Sequence, residues 1–82
     1  MTAREIKIAK KILDHLHTLE GGQAHPLTVH AEIGGMAACS SAEFDEVCGI
    51  LLARKYADFV QDEFKGQLWS ITSLGESARR KM

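Results

Sequence analysis

The last third of the chain, Tyr56 to Met82, constrains the fold most, and above all the stretch Trp69-Ser70-Ile71-Thr72-Ser73-Leu74-Gly75. Tyr56 to Gln61 is rich in aromatic and β-branched residues and reads as a strand. Asp62-Glu63-Phe64-Lys65-Gly66 is turn-like, with Gly66 able to take positive φ. Gln67 to Thr72 is the return strand, and Leu74 to Arg80 a short final helix capped by Thr72 or Ser73. A short hairpin that runs straight into a closing helix leaves few choices for what precedes it.

What precedes it is helical. Thr2 with Glu5 three residues later is a capping box, which predicts a helix from Ala3. Ile6, Ala9, Ile12, Leu13, Leu16 and Leu19 recur at helical spacing, and Gly21-Gly22 should stop it with a left-handed cap. Gln23 to Leu27 is a connector in which Pro26 allows an edge strand but not a central one. Thr28 is placed to cap a short helix, Val29 to Ile33, ended by Gly34-Gly35. Met36 to Cys39 reads as a loop or a frayed turn. Ser40 with Glu43 is a second capping box, followed by Phe44, Val47, Cys48, Leu51 and Leu52 in amphipathic register. That helix should run from Ser41 to about Lys55, with Arg54 and Lys55 suiting its C-terminal dipole.

The order is helix, short strand, helix, helix, strand, strand, helix. This layout resembles the winged helix-turn-helix superfamily over nearly the whole chain. The specific part is "ADFVQDEFKGQLWSITSLGES", which is similar to the wing and the "W-x-I-T-x-x-G" ending of small bacterial regulators of MarR-like and PadR-like type. "SSAEFDEVCGILLARKYADFV" resembles their recognition helix leading into the wing. The implied fold class is α+β, mainly α: a three-helix core, a short first strand, a two-stranded β-wing and a short C-terminal helix. The resemblance implies a DNA-binding regulator domain, working as a dimer. Its third helix would enter the major groove through Ser40, Ser41, Ala42, Asp45, Glu46 and Gly49. Asp62 to Gly66 would touch the neighbouring backbone.

The charges argue the other way. Phosphate neutralisation needs Lys and Arg on the contact face. Residues 21–64, which hold the helix-turn-helix and most of the wing, carry two basic and seven acidic residues, in a chain of net charge −1. The basic or hydroxyl groups available for nucleic acid are Ser40, Ser41, Arg54, Lys55 and Lys65. With Phe44 inward, the outward face of the third helix is Ala42, Asp45, Glu46, Gly49, Ile50 and Ala53, with none of the side chains that read guanine and adenine best. A shallow face with an apolar centre at Ile50 suits a protein partner, to which an exposed Phe64 at the wing tip would add. The plainer alternative is a solvated face. These charges are grouped by chain order, and a basic surface assembled by folding from Lys7, Lys11, Arg54, Lys55 and Arg79 would reverse the balance.

Other features have bland readings. His15, His17, His25 and His30 with Cys39 and Cys48 lack paired metal-ligand spacing, so no metal or cofactor is expected. Cys48 lies on the apolar stripe, whereas Cys39 is expected to be exposed and oxidisable. Ser40-Ser41 is explained by capping, not nucleophilic catalysis, and Asp58, Asp62 and Glu63 as solvated hairpin residues. An enzyme is not expected. Trp69 and Ile71 should pack against the first and third helices, and Arg79-Arg80-Lys81 should suit the final helix dipole. Eighty-two residues suffice for one small domain, 1–82, and no apolar run approaches the roughly 20 residues that span a bilayer. Two cysteines outside any CxxC pattern make a reducing, cytoplasmic setting the default. Two functions remain: a DNA-binding regulator domain, or a protein-interaction module using the third helix and wing.

Overall fold

The structure is a computed structural model that describes residues 1–20 and 22–82. Along the chain run α1 (Ala3–Thr18), α2 (Pro26–Glu32), a 3-10 turn (Gly35–Ala37), α3 (Ser41–Ala53), β1 (Ala57–Asp62), β2 (Gly66–Ile71) and α4 (Ser73–Lys81). Three helices enclose the core, and the β1–β2 hairpin projects from it as the wing.

Both capping boxes form. In α1 the Thr2 hydroxyl accepts the Glu5 N–H at 3.1 Å while the Glu5 carboxylate accepts the Thr2 N–H at 2.7 Å. Ser40 and Glu43 repeat the pattern at the start of α3, each bond 3.1 Å. The buried stripe of α1 is Ile8, Ala9, Ile12, Leu13 and Leu16. It therefore starts two residues later than expected: Ile6 lies on the stripe's edge, 38% exposed, and Ile8 fills the core instead. The left-handed residue after α1 is Glu20, at φ 52°. Gly21 lies outside the described residues, and the N–H of Gly22 donates to the Leu19 carbonyl at 2.9 Å.

The second helix departs from expectation. It begins at Pro26, not Val29, and its cap is His25, not Thr28: the His25 ring accepts the Leu27 N–H at 3.1 Å. A proline at the first helical position loses no hydrogen bond and brings φ already set, which outweighs its tolerance of edge strands. The expected first strand accordingly shrinks to a single bridge, Ala24 with Trp69. Gly34 and Gly35 take φ of 124° and 58°, as a helix end here requires, and the segment expected as a loop or frayed turn, Met36 to Cys39, begins inside the 3-10 turn Gly35–Ala37.

The third helix stops at Ala53, two residues short of expectation. Lys55 takes the left-handed conformation at φ 61°, its N–H donating to Leu52 and that of Tyr56 to Leu51. This is a Schellman closure with lysine where glycine is usual. It turns the chain directly into β1.

β1 and β2 pair antiparallel from Ala57 opposite Ile71 to Asp62 opposite Gly66, within one residue of the expected bounds. The Asp62 carboxylate accepts the N–H groups of Phe64 and Lys65 at 2.8 and 2.9 Å, and Gly66 takes φ 78°. Trp69 is buried as expected, against α1 and α2, with Phe44 and Cys48 of α3 beside it; Ile71 is only half-buried. The final helix is capped by Thr72, whose hydroxyl accepts the Gly75 N–H at 3.0 Å and donates to the Lys55 carbonyl at 2.6 Å. It spans Ser73–Lys81, one residue more at each end than expected.

The motif at the wing exit now has a physical reading. Trp69 anchors β2 in the core. The Thr72 N–H donates to the Tyr56 carbonyl at 3.1 Å, and a Cβ on Gly75 would sit 2.0 Å from that same oxygen. Only glycine lets α4 approach the link between α3 and β1 so closely.

Candidate nucleic-acid interface

Two contacts hold α2 against the chain entering α3. His30, buried on α2, stacks on Phe44 with ring centroids 4.6 Å apart. Its Nε2 lies 2.9 Å from the Cys39 carbonyl, which can only accept, so Nε2 carries the proton. These contacts tie α2 to the residues on either side of the α3 cap, and nothing in the spacing of the histidines announces them. Cys39 is correspondingly 2% exposed, which corrects the expectation of an oxidisable surface thiol. Burial raises its pKa, and pushes that of Cys48 to about 12.

The outward face of α3 is largely as expected. Ser41, Ala42, Asp45, Glu46, Gly49 and Ala53 are exposed. Ile50 is not: it is half-buried, so the face lacks the apolar centre that a protein-docking reading needs. The expected nucleic-acid contacts do not form one cluster. Ser40 and Ser41 stand at the N-terminal end of α3 and Arg54 and Lys55 at the other, separated by about 20 Å of helix. Lys65 is exposed in the wing turn, beside Phe64, which is 92% exposed.

Folding also redistributes the charge. Arg4 of α1 pairs with Glu43 through two guanidinium nitrogens, one of them 3.0 Å from Oε1. That pairing, joined by the Ser40 N–H, brings the Glu43 pKa down from 4.5 to about 2. The Asp62 carboxyl is also lowered, first by the Lys65 N–H and then by that of Phe64. Two of the acidic groups near α3 and the wing are thus engaged internally. Arg79 is drawn away from any basic surface, 3.3 Å from Asp14, and Glu76 of α4 meets His17 of α1 at 2.8 Å.

Among the described residues, no group of three or more His, Cys, Asp or Glu side chains is placed to hold a metal ion, and no helix is long and apolar enough to cross a membrane.

No family model and no curated protein matches the chain. Among solved structures, it is similar to the PcaV transcriptional regulator from Streptomyces coelicolor. With PcaV bound to its natural ligand the TM-score is 0.71 at 23% identity, covering 98% of this chain and 51% of PcaV. With another PcaV structure the TM-score is 0.72 at 24% identity, covering 90% and 52%. The chain therefore spans about half the length of the solved structures it matches. Its fold is a winged helix.

Proposed function

We propose that the chain is a DNA-binding module of transcription-regulator type, without catalytic activity, that works as a dimer. The observation carrying this reading is the alignment of 98% of the chain on a transcriptional regulator. The free N-terminal face of α3 supports it. In this reading Ser40, Ser41, Ala42, Asp45 and Glu46 would meet base edges, with Lys65 on the wing and Arg54 and Lys55 at the end of α3 as backbone contacts. Without Arg, Lys, Asn or Gln on that face, reading would come from Ala42 against thymine methyls and from Asp45 or Glu46 accepting from cytosine. One such module makes few contacts, which is why a pair is proposed.

The rival reading, protein docking through Ala42, Asp45, Glu46, Gly49, Ile50, Ala53 and Phe64, loses its apolar centre with Ile50 half-buried. Fluorescence anisotropy with a short random-sequence duplex at low salt tests the proposal. Binding in the micromolar range that weakens with added salt is expected. A folded protein that gives no signal rules out direct binding.

A further inference from the structure

Arg4, Lys7 and Lys11 of α1 are spaced by three and four residues, which puts them on one face of the helix. All three are exposed, and Lys7 and Lys11 make no ion pair among the described residues. The stripe lies beside the helix-turn-helix. Arg4 reaches Glu43 in the first turn of α3. The nearby acids of α1 are occupied: Glu5 caps the Thr2 N–H, and Asp14 is shared between Lys10 and Arg79. The surfaces expected to grip phosphates hold the exposed Arg54, Lys55 and Lys65, but set these among exposed acids. The exposed face of α3 has Asp45 and Glu46, and the wing offers Lys65 against Asp58 and Glu63.

Resting on the DNA-binding reading above, we infer that the main phosphate grip of this module is the Arg4–Lys7–Lys11 stripe of α1 and not the wing. The backbone beside the groove entered by the N-terminal end of α3 lies along that stripe. The duplex is thereby displaced from the acidic hairpin toward α1. Arg4 serves two partners, neutralising Glu43 with one side of its guanidinium and facing the phosphate with the other.

The test compares Lys7→Gln/Lys11→Gln with Arg80→Gln/Lys81→Gln, a control of equal net charge, by anisotropy on the same random duplex over a salt series. Glutamine keeps helix propensity, and circular dichroism checks the fold. The stripe variant should lose about 1.8 from the slope of log affinity against log salt, two phosphates' worth, while the control loses less than half of that. Equal losses in both variants, or no loss in the stripe variant, overturn the inference and leave DNA binding intact. A parent protein that does not bind overturns the DNA-binding reading, and this inference with it.

Discussion

Glu43 shows how a single side chain can serve both fold and surface. It closes the α3 capping box and engages Arg4, 39 residues away in sequence. Its pKa is depressed from 4.5 to about 2, so the folded state prefers the carboxylate more strongly than the unfolded chain does. The stability this contributes is complete above about 4.5 and is lost as pH falls toward about 2. Thermal melts between those limits should therefore fall more steeply for the parent than for Glu43→Gln; parallel curves would remove the linkage. The thiols give a second prediction. With Cys39 and Cys48 both buried and both pKa values raised, a thiol reagent at mildly alkaline pH should label neither in the native protein and both in denaturant. Rapid native labelling of either thiol would contradict its burial. None of this long-range chemistry could be read from the chain. The capping of Ser40 by Glu43 is local, but the partner that lowers the carboxyl pKa comes from another helix, and the burial of Cys39 depends on His30 and Phe44 meeting across a turn.

The glycines of the elements divide sharply. Gly75 has no room for a methyl group against the Tyr56 carbonyl, whereas Gly49 on α3 faces open space. Gly75→Ala should destabilise by about 1–3 kcal/mol, the usual range for overpacking a close contact. Gly49→Ala should stabilise by about 0.5–1 kcal/mol, because an ordinary helical position gains from the loss of unfolded freedom. Denaturant titration of the two variants reads both, and equal effects would break the argument. The wing and its exit were legible because their signals are local: Gly66 for the turn, Thr72 for the cap, and strand composition on either side. The start of the second helix is hidden in the sequence because Pro26 is compatible with two local structures, and His25, an uncommon cap, stands where no cap signal is expected. The end of α3 was overshot because Lys55, a good helix former, occupies a left-handed position.

At the scale of the whole molecule, fold and charge pull apart. The winged-helix architecture leaves the outward face of α3 and the tip of the hairpin exposed, and Asp45 and Glu46 stand at the centre of that face. Asp45→Asn with Glu46→Gln removes two repulsive charges without touching the core. It should tighten non-specific duplex binding and leave the melting temperature nearly unchanged. Unchanged affinity would mean that these side chains do not face the phosphates. The fold was visible in the sequence because hydrophobic period and capping chemistry specify it. The candidate interface was visible only in part, since the charge of a surface is set by which residues folding pairs off. The shared carbonyl of Tyr56, held by Thr72 and closed over by Gly75, has a consequence for how such a chain can diverge. The hairpin is clamped at its root and at Trp69, while Glu63 to Lys65 belong only to the turn. Insertions and deletions there would alter the reach of the arm without disturbing its mounting, whereas one next to Tyr56 or between Thr72 and Gly75, at the clamp itself, would unseat it. Variation in length among descendants of this sequence should therefore accumulate at the tip and be purged at the root.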